Sequence, residues 1–233
     1  MRTKLGWAIG LLLIVSPSFA QENQETTKIT GEDELVKQKS KLWEEVWVHP
    51  DVDLAKYDNL YIWQTVFQFR DVSDENQNRT TTAMMRGDQE HYTVSEESRA
   101  KFEEIVSEVV SDELNRSKQF EIVEVVGSKT MLVRALVLDI VSDVPSNVGR
   151  MGDVHLAHMG EATFIFELID AETGVIQARA GDRRYIQPPS QMNRVSRAPT
   201  TSATVQNFVE MWAKDQALTL RKALDKRAKK AKK

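Results

Sequence analysis

Apolar residues recur along this chain in two rhythms. From Leu60 to Phe69 the period is two: Leu60, Ile62 and Val66 fall on one side of an extended segment, and Tyr61, Trp63, Phe67 and Phe69 on the other. A strand apolar on both sides belongs in a sheet that is covered, at least in part, on both faces. After Thr93-Val94-Ser95-Glu96 the period lengthens to that of a helix. Phe102, Ile105, Val106, Val109, Val110 and Leu114 form its stripe, while Glu103, Glu104, Glu108 and Asp112 face away. Either hydroxyl can cap this helix, and the Thr93/Glu96 spacing fits a capping box. Asn115-Arg116-Ser117-Lys118 ends it. Strands follow at Phe120–Val126 and Met131–Val141. Gly160–Ile186 then gives two alternating runs joined by Asp170-Ala171-Glu172-Thr173-Gly174, a strong hairpin signal. From about Thr201 to the end, Val205, Phe208, Val209, Trp212, Leu220 and Leu224 make a second helical stripe. The order predicts an α+β fold: a single mixed or antiparallel sheet of about five strands with two helices packed on it. Asp71–Glu90, Ser142–Met159 and Gln187–Thr200 are the connections, the first of them expected to be mobile.

The first twenty residues stand apart. Arg2 and Lys4 precede an apolar run, Gly6–Val15, and Ser16-Pro17-Ser18-Phe19-Ala20 offers small residues at the −3 and −1 positions of a cleavage site. This is the pattern of a signal peptide cleaved after Ala20. The run is shorter than the roughly 20 residues a membrane helix needs. No cysteine follows it, so no lipid anchor is expected, and no later segment is apolar enough to span a bilayer. The expected location is the periplasm. Residues 21–50 read as a flexible polar arm with a tryptophan-containing segment, 51–228 as one α+β domain, and 229–233 as a basic tail.

Composition narrows the chemistry. The chain has no cysteine, which rules out disulfides, thiol catalysis and sulfur-ligated metals. Its formal net charge is −4, and loss of Arg2 and Lys4 makes it more acidic, against general nucleic-acid binding. No G-x-S-x-G occurs, Gly149–Asp153 is too short for a phosphate loop, and the acids of Glu96–Glu113 have the spacing of a solvated helix face. Three clusters remain as candidates. Arg179, Arg183 and Arg184 make a strand rich in guanidiniums, suited to an anion or an acidic partner unless neighbouring acids pair with them. Trp43 and Trp47, four residues apart, form either an aromatic partner surface or a clamp onto the domain. His155 and His158 with Asp153 could bind a metal, although not in the HExxH form of a zinc helix. The run Arg221–Lys233, with one acid, suits either a helix C-terminus or an anionic membrane or cell-wall surface.

Several short motifs stand in a recognisable order: Asp53-Leu54-Ala55-Lys56-Tyr57-Asp58 before the first strand, Gly160-Glu161-Ala162 leading to Asp170–Gly174, then Asp182-Arg183-Arg184, and Phe208 with Trp212 in the last helix. In this the chain resembles bacterial domain of unknown function 3313, over roughly Val52–Asp225. The resemblance implies an exported protein, of a kind often lipidated, with no assigned catalytic residues. Together these readings predict a non-catalytic periplasmic accessory protein, without cofactor, that binds an envelope protein or a cell-wall or membrane surface. The alternative is a periplasmic protein that binds a small anion or a metal.

Overall fold

The computed structural model describes residues 34–72, 91–145, 155–156, 158–187 and 200–231. The expected signal peptide, the Asp71–Glu90 connection from residue 73 onward and most of the two later connections lie outside the described residues. Within them the chain forms β1 (Val36–Gln38), β2 (Glu45–Val48), a 3-10 turn (Leu54–Lys56), β3 (Asn59–Ile62), β4 (Val66–Phe69), α1 (Glu96–Leu114), β5 (Glu121–Ile122), β6 (Thr130–Ser142), β7 (Gly160–Asp170), β8 (Ile176–Tyr185) and α2 (Ser202–Ala231).

The strands make one mixed sheet in the order β1-β2-β8-β7-β6-β3-β5, with β4 also paired to β6. It has eight strands where the alternation predicted about five. Two of the additional strands, β1 and β2, come from the segment expected to be a flexible arm; β2 pairs antiparallel with β8. The third arises because Leu60–Phe69 is two strands, both parallel to β6, separated at Trp63–Thr65. The strand expected over Phe120–Val126 shrinks to two residues, and Val125 is 80% exposed. The expected basic tail begins inside α2, which continues to Ala231.

The central hairpin turns as its sequence predicts. Asp170 Oδ1 accepts hydrogen bonds from the amides of Glu172 (2.9 Å) and Thr173 (2.8 Å), and Gly174 takes φ 72°, a conformation that suits glycine. Tyr57 donates from its hydroxyl to Asp170 Oδ2 at 2.7 Å, so two of the family-like motifs meet in space. Burial pushes the Asp170 carboxyl up, but the bonds from Tyr57 and from the Thr173 and Glu172 amides outweigh it and hold it below its usual range. At the opposite end of β7, Gly160 has φ 147°, and a Cβ there would lie 2.1 Å from the Val141 carbonyl oxygen.

Both helices lie on one face of the sheet. Val106, Val110 and Leu114 of α1 and Phe208, Val209, Trp212, Leu220 and Leu224 of α2 share a core with Leu60, Met131, Val133, Val137, Phe164 and Phe166. The helices run parallel: Phe102 meets Trp212 near their starts (ring centroids 6.2 Å apart), and Glu113 meets Arg221 (2.9 Å) near the end of α1. Ser95 caps α1, accepting from the Ser98 amide, so of the two candidate hydroxyls the second is used.

Candidate functional site

Strands β4, β6 and β8 finish at one end of the sheet, where β7, α1 and α2 begin. There a groove of about 1020 Å³ opens between the first turns of the two helices and the sheet. Its apolar lining comes from both helices and the sheet: Phe102 and Ile105 of α1, Val205 and Val209 of α2, and Phe69 and Ile140 of the sheet. Ser95, Ser98, Glu97, Lys101 and Gln206 add polar groups. The volume is at the upper end of the roughly 300–1,000 Å³ common for small-molecule sites.

Beside this groove Asp143 joins two histidines. One carboxylate oxygen meets His91 Nδ1 at 3.0 Å and the other meets His158 Nδ1 at 2.6 Å. The His158 ring stacks on Tyr185, centroids 4.5 Å apart, and the Tyr92 amide donates to the Ser142 carbonyl at 2.7 Å. The cluster thus ties the approach to α1, the end of β6 and the start of β7. No motif marked His91 or Asp143, because their contact spans 52 residues of sequence.

Of the three candidate metal residues, His155 and His158 are among the described residues. Asp153 lies outside the described residues, His155 is exposed, and His158 turns to Asp143 and Tyr185. Among the described residues no three His, Cys, Asp or Glu side chains are arranged to hold a metal ion.

The three arginines also separate. Arg179 and Arg183 point to the face without helices, whereas Arg184 bonds to Asp182, to Asp215 of α2 and to the Leu42 carbonyl. Arg179 pairs with Glu167, and Arg183 with Asp139 and Glu161 at 2.6 Å each. The pairing acids are therefore on β7, the neighbouring strand, and on β6 beyond it. Asp139 sits in a bulge of β6 with φ 53° and also receives Arg70; these two guanidiniums, the Arg70 bond foremost, draw its carboxyl down to about 2 against the opposing effect of burial. The tryptophans divide in the same way. Trp43 is 6% exposed and meets the edge of Phe166, which makes it a clamp and not a partner surface. Trp47 is half-buried on the other face, with Lys37 Nζ 5.3 Å from its ring centre. The acidic face of α1 has an exception in Glu113, which is buried between Arg116 and Arg221.

The model of the family described as "Protein of unknown function (DUF3313)" matches residues 25–216. The chain belongs to DUF3313. Three crystal structures are similar to this DUF3313 chain. Protein XCC0632 from Xanthomonas campestris, of family DUF330, is 10% identical, with 89% of this chain and 95% of that one covered and a TM-score of 0.42. The PelC dodecamer from Paraburkholderia phytofirmans is 11% identical over 73% and 94% of the chains, with a TM-score of 0.30. A neuraminyllactose-binding hemagglutinin homolog from Helicobacter pylori is 12% identical over 75% and 87%, with a TM-score of 0.38. No curated protein matches the chain.

Proposed function

We propose that this DUF3313 protein is an exported, non-catalytic binding protein of the bacterial envelope, whose groove seats an acyl chain of an envelope component. The groove carries the reading. Aliphatic and aromatic side chains from two helices and a sheet line a space at the upper end of the small-molecule range, with hydroxyl, amide and charged groups around it. That pattern suits an amphiphile, whose tail gains by leaving water while its polar head remains near the rim. Each methylene so buried contributes about 0.8 kcal/mol, enough for useful affinity without any strong polar contact. Export is supported by the signal-like pattern of residues 1–20, which ends at Ala20 before a polar stretch. Among the described residues no helix is long and apolar enough to cross a membrane.

A fluorescent fatty acid titrated into the full chain tests this reading. Binding should be saturable and should brighten the probe. Val205→Glu changes a half-buried residue of the lining, and placing a charge there should weaken binding by about tenfold or more. The melt of that variant should stay close to wild type. Absence of saturable binding in the wild type, or unchanged binding in the variant, would sink the proposal.

A further inference from the structure

The last turns of α2 carry two stripes. Leu220, Leu224 and Ala228 recur every four residues and are buried in the core. Lys222, Lys226 and Lys230 recur at the same interval two positions later, about 200° round the helix, and are exposed. Arg227 and Lys229 are exposed beside them, and Lys232 and Lys233 follow in the sequence. Asp225 is the one acid in this stretch. It accepts from Ser117 Oγ at 2.7 Å and from the Lys118 amide at 3.3 Å, and it lies 3.5 Å from Arg221, which also pairs with Glu113.

Among the described residues Lys222, Lys226, Arg227, Lys229 and Lys230 enter no ion pair. The exposed acids of this end stand on other elements: Asp112 on α1, Glu121 and Glu124 at β5, Glu172 in the hairpin turn, and Asp51 and Asp53 before the 3-10 turn. None of them pairs with the five, so the positive charge is concentrated on the helix and not spread over the end. The helix dipole accounts for Lys229 and Lys230 in the last turn, but its influence fades within that turn, and Lys222 and Lys226 lie further in. The loop between β5 and β6 belongs to the same end, since the Lys129 carbonyl that closes it accepts the Asp58 and Asn59 amides at the start of β3. It exposes two adjacent valines, Val125 by 80% and Val126 by 45%.

We infer that this end of the molecule docks on an anionic phospholipid bilayer, with the lysine stripe over the head groups and the Val125–Val126 loop in the interfacial layer. Each Lys or Arg held near a negatively charged membrane adds to the attraction, and a cluster of about four to eight on one helix is enough for recognition. The valines add apolar area that gains by leaving water at the same contact. A wall polymer would use the cations but leave the valines in water, so the combination favours a bilayer. The inference relies on the export in the reading above and not on the groove, which opens at the opposite end of both helices.

Cosedimentation of the full chain with vesicles of phosphatidylglycerol and phosphatidylcholine tests the inference, with vesicles of phosphatidylcholine alone as the neutral control. The anionic vesicles should bind at least about tenfold more tightly, and added salt should weaken the contact. Lys226→Gln together with Lys230→Gln should reduce partitioning by about fivefold for each charge removed, with no change in melt. Lys222→Gln, a single change in the same stripe, carries the test if the double variant fails to fold. Val125→Ser with Val126→Ser should weaken binding by about threefold or more and leave the remainder more sensitive to salt. Residues 1–20 are common to all these variants, so differences among them report the substituted side chains. Val205→Glu should bind vesicles like the wild type, so that failure of the groove and failure of this surface are told apart. Equal binding to anionic and neutral vesicles, or unchanged binding by the lysine variants, overturns the inference. Tighter binding to isolated peptidoglycan sacculi, or no effect of the valine changes, overturns the bilayer assignment.

Discussion

Single residues decide the geometry of this sheet at a few positions, and Asp139 has the clearest consequence. Its backbone is left-handed in a bulge, a conformation that aspartate tolerates better than most residues, and Arg70 and Arg183 both bond to its carboxylate at 2.6 Å. The ordinary carboxyl value of 3.8 falls to about 2 in the folded chain, so folding favours the ionised form. The stability this adds is fully present above the unfolded value and disappears as pH falls through the folded one. Melts should therefore drop between about pH 4 and pH 2, and Asp139→Asn should flatten that part of the profile. A profile unchanged by the substitution would show that other carboxylates dominate acid unfolding. Asp170 shifts in the same direction and adds to the same trend, but through hydrogen bonds to Tyr57 and two amides and not through guanidiniums.

At the scale of elements, Trp43 closes one end of the core just before β2. Its ring meets Phe166, which in turn lies 4.6 Å from Phe164, itself 5.3 Å from Trp212 of α2. Truncation to alanine should cost about 3–5 kcal/mol, read from the denaturant midpoint of Trp43→Ala against wild type. A loss below about 1 kcal/mol would mean that β1 and β2 contribute little to global stability. The tryptophan itself was visible in the sequence, but the strands around it were not. Val36–Gln38 and Glu45–Val48 are three and four residues long, too short for a period-2 pattern to rise above their charged surroundings. The helices were legible because each repeats its stripe over several turns, and the hairpin because Asp170 and Gly174 have local turn chemistry. Arg134 shows why the ion pairs around Glu167 were not legible. Within β6 it is one polar interruption in an apolar run, and it acquires meaning when register sets it against Glu167, 33 residues away.

Considered as a whole molecule, the parallel helices give the protein two unlike ends. The positive ends of both helix dipoles gather where the groove and the His91–Asp143–His158 cluster lie, while Lys229 and Lys230 sit in the last turn of α2 at the other end. The basic C-terminus thus has a structural role in its own helix before any partner is considered. The two sheet faces differ as sharply, one closed by helices and the other presenting charged and aromatic side chains. The division of Leu60–Phe69 into two strands has a dynamic consequence. Among the described residues β3 is held between β5 and β6, whereas β4 pairs with β6 alone. Amide protons of Val66–Phe69 should therefore exchange with deuterated solvent sooner than those of β6 or β7, through an opening that leaves the rest folded. Equal protection across these strands would show that β4 opens only with the whole domain. Since Phe69 belongs to both β4 and the groove, a strand that opens independently makes the cavity's volume a thermally populated variable without remodelling the helices.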